Sequence, residues 1–273
     1  MKTYSALAAL VLFFTESATA QTTNDSVESI IQGRKLALQL LEQRPPENTT
    51  QTGILKLRDA EGNHLEIPIK CEVTVTPTNW QSLYEAVYTN DTETLAVTHS
   101  DIQTHHLEGD FPSSGGRQYI SFGRSDFQIG SPNGYTHRHI RRELAGGVKD
   151  SWKDHLIPFA GSDFWECDLG LEFLHWPRQK ILKKEFRRQC ACMVLESTNP
   201  HPTTNGYSRV VSWIDEESLG IVEANAYDAN GKKLKNFYPK NLEKVNGQYQ
   251  VQSMIMENLQ TGSRTRLEFD LKK

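Results

Sequence analysis

The sequence lacks the features that would place it within a membrane or on nucleic acid. After its N-terminal stretch, no run approaches the roughly 18 apolar residues that a membrane-spanning helix needs. Basic residues are not in excess, because 30 Lys and Arg stand against 34 Asp and Glu, which gives a formal net charge of −4. We therefore expect neither a membrane-spanning helix nor a nucleic-acid partner.

Catalytic and metal-binding motifs are also missing. The sequence contains neither the H-E-x-x-H motif of zinc proteases nor the G-x-S-x-G motif of serine hydrolases. The histidines in His105–His106 and His137–His139 do not match the spacing of a known metal site, so we interpret them as solvated or structural side chains. The sequence therefore predicts no catalytic residue, no metal and no cofactor.

Cysteine is scarce, with four residues at Cys71, Cys167, Cys190 and Cys192. Cys190 and Cys192 lie two positions apart on a strand-like run and share one face. Each is thus better placed to reach Cys71 or Cys167 than to reach the other. Three pairings are possible for four cysteines, and the sequence does not choose among them. One disulfide and free buried thiols both remain open.

The N-terminal segment, residues 1–20, has the parts of a secretory signal peptide. Lys2 supplies the charged region, an apolar stretch follows from Ala6 to Phe14, and Ala18-Thr19-Ala20 forms an A-x-A cleavage site. We expect this segment to be removed outside the cytoplasm, which leaves residues 21–273 as a single soluble domain.

The last third of the chain predicts an antiparallel meander. Its apolar runs are separated by short segments rich in Asp, Asn and Gly, which favour tight turns. The runs are Tyr207–Ile214, Gly220–Asp228, Lys233–Tyr238, Gln248–Leu259 and Ser263–Leu271. Strands joined by turns this short are expected to pair in chain order.

The first half of the chain predicts a helix followed by a second meander. Apolar residues from Val27 to Leu41 recur at helical spacing and stop before Pro45-Pro46, which predicts an amphipathic helix that covers the sheet. The strand-like runs that follow are Thr52–Arg58, Glu66–Thr76, Trp80–Tyr88, Glu93–Ser100 and a weaker one at Gln118–Phe122.

Two strands of the C-terminal meander are apolar on both faces. Trp213 opposes Ile214 across one strand, and Met254 and Met256 oppose Ile255 across another. One explanation is a central strand between two packed layers. The other is a curved sheet whose concave side is an apolar cavity lined by adaptable methionine side chains.

An aromatic-rich segment, Asp150–Pro177, lies between the two meanders. Asp163 and Glu166 resemble a capping box at the start of a helix. Apolar residues follow at helical spacing, namely Trp165, Leu169, Phe173 and Trp176. We expect a helical insert, which either forms the main core or acts as a lid over the cavity.

Several segments of the second half resemble the LolA-like family of outer membrane lipoprotein-sorting proteins. The segments are Ile157–Trp165, Asp168–Pro177, Tyr207–Asp215, Ala226–Lys235 and Met256–Thr265. The resemblance implies a mainly β (α+β) fold, an incomplete antiparallel β-barrel whose curved sheet has helices covering its concave face. It also implies a periplasmic, non-enzymatic carrier of a lipid or of lipoprotein acyl chains, with possible donor and acceptor proteins in the inner or outer membrane.

The strand pattern, the aromatic-rich segment and the family resemblance together predict a hydrophobic ligand cavity. The residues expected to line it are Phe164, Trp165, Leu171, Leu174, Trp213, Met254 and Met256. The alternative function is a sensing or scaffold module of the cell envelope that docks a membrane-protein partner.

Overall fold

The computed structural model describes residues 21–87, 91–100, 135–143, 147–151, 156–245 and 248–271. The predicted signal peptide, the weak run Gln118–Phe122 and the pair His105–His106 lie outside the described residues.

The fold is mainly β, as expected. It contains one long helix, α1 (Gln21–Leu41), one short helix, α2 (Glu166–Leu169), and two 3-10 turns, Phe159–Gly161 and Glu172–His175. The strands before α2 are β1 (Thr49–Arg58), β2 (His64–Val75), β3 (Asn79–Val87), β4 (Asp91–Ser100), β5 (Tyr135–Glu143) and β6 (Gly147–Ser151). The strands after it are β7 (Arg178–Arg187), β8 (Cys190–Thr198), β9 (Arg209–Asp215), β10 (Ile221–Tyr227), β11 (Lys233–Val245), β12 (Gln248–Asn258) and β13 (Arg264–Phe269).

All thirteen described strands belong to one antiparallel sheet, in the order β6-β5-β4-β3-β2-β1-β13-β12-β11-β10-β9-β8-β7. Each half of the chain is a meander of neighbouring strands, and the pairing of β1 with β13 joins the halves. The sheet is curved and is not closed, with β6 and β7 at its two edges. The chain passes from one edge to the other between these strands, and the described part of that connection, residues 156–177, is here named the crossing segment.

The register of the strands defines two faces. Ile67, Leu55, Leu267 and Met254 lie directly opposite one another across β2, β1, β13 and β12. Because residues paired in this way project on the same side of a sheet, they form a continuous apolar row. We name that side the inner face and the opposite side the outer face.

The crossing segment packs on the inner face. Its buried Phe159 and Phe164 belong to one apolar cluster with Leu55 and Leu267. Phe173 and Leu174 belong to a second cluster, which also contains the following inner-face residues of β8, β9 and β10: Leu195, Val210, Ala224 and Ala226. The segment therefore covers inner-face side chains from both halves of the sheet.

Helix α1 lies against the edge strand β7. It buries Leu36, Ala37 and Leu40 in the second cluster. At Gly33 the helix approaches β7 so closely that a Cβ atom there would lie 2.6 Å from the Lys180 Cα atom. The predicted helix is confirmed, and its described part begins earlier than Val27.

The predicted helical insert is wrong in its local structure. The crossing segment contains only α2 and the two 3-10 turns, and the left-handed residues Ala160 (φ 54°) and Leu171 (φ 50°) interrupt any longer helix. The N-terminus of α2 is capped by Asp168, whose Oδ2 accepts a 2.8 Å hydrogen bond from the Trp165 amide. Asp163 does not cap this helix, because its carboxylate accepts hydrogen bonds from Ser263 and Thr265 instead.

The four cysteines lie within the described residues, and all are free. Cys71, Cys167 and Cys192 are buried, whereas Cys190 is partly exposed. The sequence left open one disulfide or free thiols, and the structure contains free thiols.

Candidate functional site

The crossing segment is held on the inner face by apolar packing and by buried hydrogen bonds. Phe164 is 2% exposed, and its ring meets that of Phe237 edge to face, with 6.3 Å between the ring centroids. The Ala160 amide donates a 2.7 Å hydrogen bond to the Glu93 carboxylate on β4. These contacts connect the segment to strands of both halves of the sheet.

Asp163 attaches the segment to the start of β13. Its backbone amide donates a 2.9 Å hydrogen bond to the Thr265 hydroxyl, which in turn donates to the Asp163 carboxylate over 2.8 Å. The Ser263 hydroxyl donates to the same carboxylate over 2.5 Å. Both the amide and the carboxylate of Asp163 thus have hydrogen-bond partners. Thr265, which is fully buried, has its hydroxyl satisfied by the same contacts.

A lysine lies beneath the segment, buried in the sheet. Lys235 of β11 is only 1% exposed, which is unusual for a lysine side chain. Its ammonium donates to the Asp163 carbonyl oxygen over 2.7 Å and to the Asp168 carboxylate over 3.2 Å. It also lies 3.4 Å from the centroid of the Trp165 ring. All three groups belong to the crossing segment. The segment therefore supplies these contacts to a positive charge that belongs to the sheet.

Tyr207, two residues before β9, also contacts this group of side chains. Its hydroxyl donates to the two carboxylate oxygens of Asp168 over 2.9 and 3.1 Å, and its ring stacks on Trp165 with 4.7 Å between centroids. The Asp168 carboxylate therefore accepts hydrogen bonds from Lys235, Tyr207 and the Trp165 amide. We name Lys235, Asp168, Asp163, Tyr207 and Trp165 the lysine cluster.

Burial shifts the pKa values of Lys235 and Tyr207 in the lysine cluster. It lowers the pKa of the Lys235 ammonium, and the neighbouring Asp168 carboxylate acts against this effect. Burial raises the pKa of Tyr207 well above its ordinary range, and the nearby Asp168 charge adds to the effect. Tyr207 is thus a neutral hydrogen-bond donor at physiological pH, and the Asp168 carboxylate favours the charged form of Lys235.

A small cavity adjoins the lysine cluster. Lys235, Tyr207 and Asp168 form its polar wall. Its apolar lining includes Leu171, Phe173, Val210, Ala226, Phe237 and Met256. The cavity volume is about 20 Å³, which is enough for one water molecule but far too small for a hydrocarbon chain. In this conformation the side chains of the crossing segment occupy the space above the inner face.

The described residues contain no group of three or more His, Cys, Asp and Glu side chains that could hold a metal ion. Among the helices of the described chain, none is both long and apolar enough to cross a membrane.

Comparison with known proteins identifies similar folds. A family described as uncharacterized proteins matches residues 151–272. A DUF1329 family protein from Desulfovibrio piger has 17% sequence identity and a TM-score of 0.65, over 89% of this chain and 91% of that one. A putative outer membrane lipoprotein-sorting protein domain from Vibrio parahaemolyticus has 19% identity and a TM-score of 0.65, over 89% and 92% of the two chains.

The chain has a LolA-like fold. The resemblance predicted from the sequence is confirmed at this level, since the similarity to the Vibrio domain extends along most of both chains. A LolA superfamily protein from Nitrosomonas europaea has 13% identity and a TM-score of 0.46, over 88% and 91% of the chains. A comparison with curated proteins found no significant match.

Most of the predicted cavity residues lie on the inner face of the LolA-like sheet or in the crossing segment. Leu171 and Met256 line the small cavity. Phe164 and Met254 pack in the neighbouring apolar cluster, and Leu174 packs near α1. Trp165 covers the Lys235 ammonium. The structure brings these residues together, and a role in ligand binding stays a prediction.

Trp213 requires a correction, because it lies on the outer face. Its neighbours there are Val194 and Val211, and the Arg187 guanidinium lies 4.9 Å from the centroid of its ring. The indole N–H donates a hydrogen bond to Glu185. The alternation along β9 directs Trp213 away from Val210, which lines the cavity. Trp213 therefore cannot line the same cavity as Met256.

The polar wall of the cavity was missed in the sequence. Lys235 and Phe237 lie two positions apart on β11, so they project from the same face. This spacing is the feature of the sequence from which an inward-facing lysine could have been predicted. No comparable signal in the sequence marks Asp168, because its contact with Lys235 joins distant parts of the chain.

Proposed function

We propose that this chain is a periplasmic carrier that shields a lipid, or the acyl chains of a lipoprotein, on the inner face of its sheet. We further propose that residues 1–20 are a cleaved signal peptide and that residues 21–273 act as one LolA-like domain. In this proposal the inner face is the concave one, and α1 and the crossing segment cover it. The acyl chain would take the place of the apolar side chains of the segment.

The observation that supports this proposal is a continuous apolar face covered by a short, mostly non-helical segment. The row from Ile67 to Met254 crosses four strands, and the inner-face cluster around Val210 lies beyond it. The crossing segment contains one α-helix of four residues and two 3-10 turns, and no longer regular element. In the proposal this segment leaves the inner face, and an apolar guest takes its place.

The energies of the two occupants are comparable. Each CH₂ group moved out of water contributes about 0.8 kcal/mol, so an acyl chain of about 16 carbons resists exposure by on the order of 12 kcal/mol. A large apolar side chain contributes about 1.5–3 kcal/mol when it is fully buried. Roughly five displaced side chains of the crossing segment therefore balance one acyl chain. A cargo could load and leave through competition with the protein's own side chains.

A fluorescent acyl probe tests the proposal. We expect saturable binding to the purified protein, weakened at least about tenfold by Met254→Asp, because a carboxylate in an apolar site is costly to desolvate. Val251→Asp is the matched control, since Val251 is an exposed residue of the same strand. Trp213→Ala is a second control on the outer face and should leave probe affinity unchanged.

Absence of saturable binding in all conditions would reject the carrier function. Equal effects of Met254→Asp and Val251→Asp would show that the probe binds elsewhere on the protein. Capture of an inner-membrane protein in the absence of any lipid would instead support the alternative, a docking module of the envelope. Mass spectrometry of organic extracts, from protein isolated out of its native host, would identify the cargo.

A further inference from the structure

The lysine cluster has its donors on one part of the fold and its acceptor on another. Lys235 belongs to β11 and Tyr207 lies two residues before β9, so both donors are attached to the sheet. The carboxylate that they share, that of Asp168, belongs to the crossing segment. A carboxylate from the cover thus occupies an anion-binding position at the wall of an apolar cavity.

This division has a consequence that rests on the proposed function. If the crossing segment leaves the inner face to admit a lipid, Lys235 loses the Asp163 carbonyl, the Asp168 carboxylate and the Trp165 ring together. Tyr207 loses its acceptor in the same movement. A buried cation without a counter-charge is strongly unfavourable, so a replacement anion at this position would stabilise the loaded state.

We propose that the cargo is an anionic lipid, whose carboxylate or phosphate group replaces the Asp168 carboxylate on Lys235 and Tyr207. Its acyl chain then extends along the apolar residues beside them, which include Phe237 and Met256. Asp168 is an internal competitor for the head group, as the apolar side chains of the segment are for the hydrocarbon.

The protonation of the two donors fits this role. Burial lowers the pKa of Lys235, and an anion in contact with it acts against this effect and favours the charged ammonium. Because burial raises the pKa of Tyr207, its hydroxyl remains a donor at neutral pH and does not repel an anion. The shared Asp168 carboxylate accepts from both donors within 3.2 Å, so one anionic group can contact both at once.

The test compares a saturated fatty acid with the alcohol of the same chain length, as competitors of an uncharged fluorescent acyl probe. The wild-type protein should bind the acid about tenfold or more tightly than the alcohol, the range of a charge-assisted hydrogen bond. The double variant Lys235→Met/Asp168→Asn, which carries no charge at either position, should lose this preference. Lys233→Met, on the same strand and only partly buried, should retain it.

Asp168→Asn alone provides an independent readout. Removing the internal carboxylate should raise the affinity for the fatty acid several-fold and leave that for the alcohol less affected. Acetate at the same concentration should not displace the probe, because it has the head group without the chain.

The outcomes separate this inference from the proposed function. Equal affinities for acid and alcohol in the wild-type protein would overturn the anionic head group and leave the carrier function intact. Binding of neither lipid would contradict both. A preference that persists in the double variant would place the anion contact elsewhere, and displacement by acetate would indicate a site for small anions rather than lipids. Either result would overturn the inference.

Discussion

Replacing Lys235 by methionine probes the lysine cluster directly. Methionine keeps much of the aliphatic side chain but removes the 2.7 Å hydrogen bond to the Asp163 carbonyl and the 3.2 Å ion pair with Asp168. It also removes the cation that lies 3.4 Å from the Trp165 ring centroid. Breaking one side of a buried ion pair typically costs about 3–5 kcal/mol, because the partner charge stays behind. We expect Lys235→Met to lower the free energy of unfolding by an amount in this range.

Asp168→Asn should cost a similar amount, but its effect should depend on pH. Burial lowers the folded-state pKa of Lys235 below its ordinary value, and removing the carboxylate lowers it further. Between the folded and unfolded pKa values, the unfolded chain binds more protons than the folded protein does. The free energy of unfolding therefore rises with pH in that window. Asp168→Asn should recover part of its lost stability at alkaline pH, whereas Lys235→Met has no ammonium to deprotonate.

The double variant Lys235→Met/Asp168→Asn completes a double-mutant cycle with the wild type and the two single variants. Because it leaves neither charge unpaired, it should lose less stability than the two single losses added together, with a coupling energy of at least about 2 kcal/mol. Urea denaturation of all four proteins, followed by tryptophan fluorescence, measures this coupling. The ion pair Lys56–Glu268 is partly exposed at 3.1 Å and serves as a control. Lys56→Met should change stability by less than about 1 kcal/mol.

Two results would refute this reasoning. Losses that add to within about 0.5 kcal/mol would show that Lys235 and Asp168 do not interact in the folded protein. A Lys235→Met variant as stable as the wild type would show that the ammonium is not buried among the groups of the crossing segment.

Three further predictions follow from other contacts. Thr265→Val should lower the free energy of unfolding by about 1–3 kcal/mol, because the buried amide and carboxylate of Asp163 both lose a partner; equilibrium urea denaturation measures this. Gly33→Ala should be destabilising by about 1–2 kcal/mol, although alanine favours helices by about 1 kcal/mol, because its Cβ would lie 2.6 Å from the backbone of β7; thermal unfolding followed by circular dichroism measures this. His99 has its pKa lowered from 6.5 to about 4, first by burial and then by His175. The unfolded chain takes up this proton at higher pH, so stability should fall by up to about 3 kcal/mol from pH 6.5 to pH 4, and His99→Phe should flatten this part of the stability profile.

Each of these variants has a matched control at an exposed position. Thr74→Val on β2, Lys35→Ala on α1 and His64→Phe on β2 should each change stability by no more than about 0.5 kcal/mol. A stabilising Gly33→Ala would mean that α1 does not approach β7 as described. An unchanged acid profile in His99→Phe would exclude that histidine as the source of acid sensitivity.

The C-terminal meander could be predicted because its turns have a local chemical signature. Gly231 and Gly262 adopt positive φ angles of 78° and 75° at the turns that follow β10 and β12. Residues with other side chains rarely adopt this conformation, so Asn-Gly and Thr-Gly pairs mark the reversals. The strands between them then pair in chain order, as predicted. The charged strands β5 and β7 gave no such alternation, and they were not predicted.

The local structure of the crossing segment could not be predicted, because long-range contacts determine it. Its aromatic residues do recur at helical spacing, but Asp163 bonds to Thr265 and the Ala160 amide bonds to Glu93. These tertiary contacts outweigh a local helix preference that amounts to a fraction of a kcal/mol per residue. The face that carries Trp213 was misassigned for a related reason. β9 is apolar on both sides, and the sequence does not indicate which side the segment covers.

The position of β13 has a consequence for how the protein assembles. This strand is the last of the described strands in chain order, yet it lies between β1 and β12 in the middle of the sheet, with Phe269 opposite Gly53. Until β13 pairs with β1 and β12, the two meanders are not joined, and β1 and β12 each expose an unpaired edge. The halves of the sheet therefore cannot join until β13 has been synthesised, and this one non-local pairing delays the completion of folding. A chaperone that binds the exposed edges of β1 and β12 until this strand is synthesised would protect them from aggregation.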